Sequence, residues 1–143
     1  MSAGRKLTFV EAEDVETQRL PWGYLNWLSE PRVTGAERFS TGIATVTPGQ
    51  GHERHNHPGT EEILYIIKGT GQQMVEVDGA PVTREVGPGT LIHIAAGAYH
   101  STVNTGDGEM IVLAVYSPPG PEAFLRALPE CTVEPPQREP VGP

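Results

Sequence analysis

The chain has 143 residues, with 10 Lys plus Arg against 18 Asp plus Glu, a formal charge of −8 and one cysteine. That length fits one domain, able to bury roughly 70% of the surface its unfolded chain exposes. An acid excess without a basic cluster argues against nucleic acid, whose phosphates need a concentrated basic face. The lone Cys131 leaves no intrachain disulfide and no cysteine-rich zinc ribbon. No apolar run approaches the ~18 residues of a membrane span, and no basic-then-apolar leader is visible. A soluble cytoplasmic protein with a small-molecule partner is expected.

Residues 1–30 start acidic and weakly patterned and end in LPWGYLNWLSEP, where Trp22, Tyr24 and Trp27 are too much aromatic surface for a free tail. This N-terminal segment is expected to pack, either as an extra strand on the chain's own sheet or by exchange with a second subunit. Residues 31–118 contain short β-prone runs broken by Gly and Pro, and no long amphipathic helix. Candidate strands are Phe39 to Thr47, Glu62 to Lys68, Gln72 to Val77, Val82 to Val86, Thr90 to Ile94, His100 to Val103 and Met110 to Tyr116. The breaks between them read PGQG, KGTG, VDGAP, VGPG and NTGDG, of which Asp78-Gly79 is a hairpin turn. Short strands at this spacing predict an all-β fold, a sandwich or barrel such as a jelly roll. In residues 119–143, EAFLRALPE predicts one short helix behind Pro121, and the Pro-rich last dozen residues are expected to lack structure. No internal repeat is present, so a single barrel is predicted.

The stretch GHERHNHPGTEEILYIIKG places His52, His55, His57, Glu61 and Glu62 directly before an apolar run. On an extended backbone His55 and His57, two apart, project to one face and make a pincer. The Pro58-Gly59 turn lets the chain reverse, and parity with Leu64 and Ile66 turns Glu62 toward the pincer and Glu61 away. His100, after AAGAYH, supplies a fourth ligand. Histidine is the residue most used for transition metals, and all five histidines lie between positions 52 and 100. The alternative reading of the same spacing is a solvent-facing loop with His100 satisfied in the interior. His52 is expected to be an exposed loop residue, with a supporting role behind a ligand as the other option. His93 has no parity anchor. Arg54 is expected to be exposed, and Tyr65, Tyr99 and Tyr116 to be packing residues with hydroxyls in water.

The run Gly49, His55, His57, Glu62, Gly69 resembles the first motif of the cupin superfamily, and Gly89, Gly97, His100, Asn104 resembles the second. Ala95 stands where that pattern usually has proline. The resemblance covers about residues 38–117 and implies a small single-domain cupin, a jelly-roll β-barrel (double-stranded β-helix), with His55, His57, Glu62 and His100 as ligands. It implies one divalent transition metal, since three imidazoles and a carboxylate suit Mn, Fe, Co, Ni, Cu or Zn, and a homodimer. The expected function is a metalloenzyme acting on a small oxygenated molecule, as an oxidoreductase (dioxygenase) or as an isomerase or lyase using the ion as Lewis acid. The alternative is a non-catalytic small-ligand-binding or sensor barrel.

Overall fold

The computed structural model describes residues 6–139. A short 3₁₀ turn, Ala12–Asp14, precedes β1 (Thr17–Leu20), β2 (Gly23–Ser29), β3 (Ser40–Val46), β4 (Gly51–His55), β5 (Glu61–Lys68) and β6 (Gly71–Val77). Then follow β7 (Ala80–Val86), β8 (Leu91–Ile94), β9 (His100–Asn104), β10 (Met110–Ser117), helix α1 (Pro121–Arg126) and β11 (Thr132–Glu134). The strands form two antiparallel sheets, one in the order β11-β1-β2-β3-β10-β5-β8 and one in the order β4-β9-β6-β7. Together they make an all-β jelly-roll barrel with one short C-terminal helix.

Strand periodicity sets the inside of the barrel. Along β5 Glu62, Leu64 and Ile66 are buried while Ile63, Tyr65 and Ile67 are exposed, and along β10 Met110, Val112, Ala114 and Tyr116 are buried. These side chains pack with Leu25, Trp27, Val46, Val86 and Ile94 into the core, where each fully buried large aliphatic contributes about 1.5–3 kcal/mol. Trp27 lies flat over β3 because Gly42 opposite has no side chain. A Cβ there would stand 3.0 Å from the indole. The β6–β7 hairpin turns at Asp78 and Gly79, both at positive φ (52° and 80°), a conformation this residue pair tolerates.

Among the described residues β1, β2, β4 and β11 lie outside the candidate strand runs. β1 and β2 lie on the chain's own sheet, antiparallel to each other and, through β2, to β3. β4 is a strand with weak propensity, GHERH, formed because its backbone pairs with β9. The last dozen residues were expected to lack structure. Instead Thr132–Glu134 pairs with β1, and Gln137 and Arg138 donate backbone N–H groups to the Glu13 carbonyl. Arg138 also pairs with Glu11, Glu13 and Asp14. Backbone pairing and charge hold this segment, and neither leaves an apolar period in the sequence. Residues 140–143 of that expectation lie outside the described residues. Among the described residues no helix is long and apolar enough to cross a membrane.

α1 is held across one end of the barrel. Gln18 Nε2 donates to the Glu122 carbonyl at 3.1 Å, while Gln18 Oε1 accepts from Trp27 Nε1 at 2.8 Å. Arg126 reaches Glu30 at 2.7 Å and Glu16 at 3.2 Å. These bonds press Leu125, 5% exposed, into the barrel mouth.

Candidate metal centre

β4 and β9 bring the first two histidines together, because His55 and His100 are direct cross-strand partners with ring centroids 4.2 Å apart. His57 lies beyond the end of β4, in a turn whose His57 carbonyl accepts from Thr60 and Gly97. The regular strand assumed for the pincer therefore stops at His55. The turn nonetheless leaves the His57 ring 5.0 Å from His55 and 5.5 Å from His100. One ligand nitrogen from each of the three histidines lies within 4.8 Å of the others. Glu62 enters from the larger sheet, 3% exposed, with Oε1 3.0 Å from His100 Nε2 and 3.7 Å from His57 Nε2. Glu61 points outward and pairs with His93.

The polar atoms at the centre are unsatisfied. His57 Nε2, His100 Nε2 and Glu62 Oε1 are buried and none has an aligned hydrogen bond, a state that costs about 1–3 kcal/mol per group. The ring atoms facing away are anchored to the main chain. His55 Nδ1–H donates to the Glu53 carbonyl at 2.5 Å and His100 Nδ1–H to the Ala98 carbonyl at 2.9 Å. That tautomer leaves the Nε2 lone pair of each ring free to bind, the usual device by which a carbonyl orients a ligating imidazole. Three such nitrogens and a carboxylate oxygen fit a cation, and transition ions of the Mn-to-Zn series match this donor set.

The electrostatics keep most of the rings neutral. Burial, reinforced by neighbouring imidazoles, pushes His52 down to about 3 and His55 down to about 4, and burial also lowers His57. For His100 burial is the largest influence and lowers the value, but the Glu62 carboxylate and the Ala98 carbonyl together outweigh it and hold the imidazole above its ordinary range.

Two neighbours depart from the sequence reading. His52 is a half-buried residue of β4, stacked 3.6 Å from the His55 ring and 5.5 Å from Trp22. Three residues on a regular strand place two side chains on opposite faces. The β4–β9 register shift between His52 and His55 undoes that parity. Tyr116 is buried, not water-facing. It stands opposite Glu62 across the β10–β5 ladder, and its phenol feels that carboxylate. Burial foremost, then Glu62, raises its phenol well above the ordinary value. The visible signal was the alternation Met110, Val112, Ala114, Tyr116, but the pairing register with β5 is not written in either strand. Tyr65 and Tyr99 are exposed. Arg54 is exposed and engaged, 2.7 Å from Glu76 and 3.8 Å over the Tyr99 ring.

Beside the convergent atoms is a cavity of about 50 Å³, walled by Leu25, Val46, Leu64, Val112 and Ala114. Adjoining it is a cleft of about 400 Å³ that shares Trp22, His52, His55 and Leu125 with it as lining residues.

A histidine and carboxylate cluster in the mouth of a two-sheet barrel is the arrangement of a cupin. Residues 42–116 match the family model described as Cupin domain, and the chain belongs to that family. It is 30% identical over 116 residues to the polyketide synthase CurC of Streptomyces cyaneus, covering 81% of this chain and 73% of that protein. It is 32% identical over 116 residues to protein SchB of Streptomyces halstedii, covering 81% of each. Among solved structures, oxalate decarboxylase of Lactobacillus farciminis, in its formate complex, superposes with a TM-score of 0.69 at 27% identity. That match covers 75% of this chain and 32% of the decarboxylase, so the chain spans about a third of its length.

Proposed function

We propose that this cupin is a metalloenzyme in which His55, His57, Glu62 and His100 hold one divalent transition ion and the substrate is a small oxygenated organic molecule. The supporting observation is the convergence of buried, unsatisfied Nε2 and Oε1 atoms on one point. An ion bound there supplies Lewis acidity toward a substrate oxygen or, if it is Fe(II), a binding place for dioxygen. The chain's own residues do the rest. The Glu53 and Ala98 carbonyls fix the tautomers, Tyr116 aims the Glu62 carboxylate, and the apolar walls keep water from the inner cavity. Similarity to a polyketide synthase supports a polyketide-like molecule, rich in enolisable carbonyl and hydroxyl groups, as the substrate class.

Elemental mass spectrometry of untagged protein tests the ligand set. About one Mn, Fe, Co, Ni, Cu or Zn per chain, lost in His100→Ala and Glu62→Gln, is the expected result. Metal-free protein that also takes up no added divalent ion overturns the reading. Oxygen uptake by the Fe(II) form then separates an oxidoreductase from a redox-neutral isomerase or lyase, which turns over without air.

The same reading includes a cytoplasmic location, consistent with the unpaired Cys131, and a homodimer. The dimer is supported by the outer face of the larger sheet, where Ile63, Tyr65, Ile67 and Leu91 are between 37% and 58% exposed beside Leu113 and Val115 of β10. β5 and β10 are thus apolar on both faces, the pattern of strands covered on both sides. A second copy fits because this patch can cover itself: a two-fold axis that sets two β5 strands antiparallel lays Ile63, Tyr65 and Ile67 of one copy on the same residues of the other.

A further inference from the structure

The two adjoining spaces differ in what they can hold. A water needs about 10–15 Å³ measured this way, so the inner cavity of about 50 Å³ takes a few heavy atoms and not a ring. The outer cleft of about 400 Å³ falls within the ~300–1,000 Å³ of pockets that hold whole organic ligands. His55 lines both spaces, so a substrate that also reaches His57, Glu62 and His100 has two parts: a small oxygenated edge in the smaller cavity and a larger body in the cleft.

The chemistry of the cleft describes that body. Its apolar wall comes from Leu20, Trp22, Leu125 and Leu128, with the indole of Trp22 continuing into the stacked rings of His52 and His55. Among the described residues Arg54 is the one Lys or Arg side chain lining the cleft, and its guanidinium is engaged by Glu76 and Tyr99. The other formal charges there are the carboxylates Glu53 and Glu130. An anionic body thus meets two like charges and no uncommitted arginine or lysine, whereas an uncharged ring can lie on the apolar side formed by Leu20, Trp22, Leu125 and Leu128 with its polar edge toward Gln50, His52 and His55.

We propose that the cleft between the Pro21–Trp22 hairpin tip, β4 and α1 is a recognition subsite for an uncharged planar conjugated ring, which presents a hydroxy-carbonyl, enol or diol edge to the smaller cavity. The proposal rests on the metal-site reading and narrows it: phosphorylated sugars and small dianions such as oxalate are not the substrates. The deciding contact is with the Trp22 indole, which ends the stack of His52 and His55, and offset ring packing there adds about 0.5–1.5 kcal/mol beyond the area it buries.

The test is calorimetric titration of protein of measured metal content with 2,3-dihydroxynaphthalene and with its 6-sulfonate, a pair differing by one negative charge. The neutral diol is expected to bind about tenfold more tightly than the sulfonate, with oxalate and glucose 6-phosphate weaker still. Trp22→Ala is expected to weaken the diol about tenfold at unchanged metal content. Leu128→Arg, which adds a free cation to the cleft, is expected to narrow or reverse the preference for the neutral probe. Equal binding of diol and sulfonate, an unaltered affinity in a folded Trp22→Ala, or an unaltered preference in Leu128→Arg overturns the subsite. Protein that holds one ion per chain and binds no diol overturns the subsite alone, whereas protein that takes up no ion overturns the metal reading and the subsite with it.

Discussion

Tyr116→Phe asks whether the phenol behind Glu62 aims the carboxylate. Tyr116 is buried, with its ring centroid 5.5 Å from Trp27 and 5.4 Å from His57. Phenylalanine keeps both ring contacts and removes only the hydroxyl proposed to hold Glu62. A hydrogen bond to a charged group is worth about 1.5–3 kcal/mol, and partners standing behind metal ligands contribute about 10–100-fold in affinity. These scales agree, since about 1.4 kcal/mol is tenfold. The variant is expected to bind Zn²⁺ or Mn²⁺ about 10–100-fold more weakly in chelator competition, with saturation still at one ion per chain. A folded Tyr116→Phe whose affinity stays within about twofold of the parent refutes the reasoning and leaves Glu62 held by the histidines alone.

Asn104 is a staple and not a ligand: its side chain donates to Val46 at 2.9 Å and Gly108 at 2.8 Å and accepts from Gly106 at 2.9 Å. At about 1 kcal/mol per bond, Asn104→Ala is expected to lose about 3 kcal/mol in urea unfolding with metal content unchanged; a loss below about 1 kcal/mol counts against it. Chelator-treated protein is expected to lose stability as pH falls from about 6.5 toward 4, because His52 and His55, at about 3 and about 4, bind fewer protons folded than unfolded in that window. His100, raised, works the other way, its stabilisation fading as pH rises through its folded value, so melting temperatures that climb on acidification show that it outweighs the others. Ile67→Lys with Leu91→Lys is expected to turn a dimer into a monomer by light scattering, and a parent chain that is already monomeric ends the dimer reading.

How much was legible follows from how local each feature is. The strands β5 and β10 and the inward turn of Glu62 are written in a period of two, so residue parity alone separates Glu62 from Glu61. His57 breaks the same rule, because it sits past the strand end in a turn. His52 breaks it through a register shift that depends on how β4 meets β9. Tyr116 needed the β5–β10 register, a relation between segments about fifty positions apart in sequence. β11 was hidden because its stability comes from pairing with β1 and from Arg138, neither of which leaves a pattern within TVE itself.

That division carries into function. His55, His57, Glu62 and His100 all lie within residues 42–116, the segment shared with the family, so the donor set by itself says little about what this particular chain acts on. The apolar residues that shape the cleft, Leu20, Trp22, Leu125 and Leu128, come from the β1–β2 hairpin and the region of α1, outside that segment. Those flanks are tied to each other and not merely laid on the barrel, since Gln18 of β1 links Glu122 of α1 to Trp27 of β2. A change in either flank therefore moves the walls of the cleft together while two of the proposed ligands, His55 and His100, stay held by the Glu53 and Ala98 carbonyls. Specificity can diverge on this barrel without disturbing the metal chemistry, and substitutions in the flanks should alter which ring is bound before they alter whether an ion is.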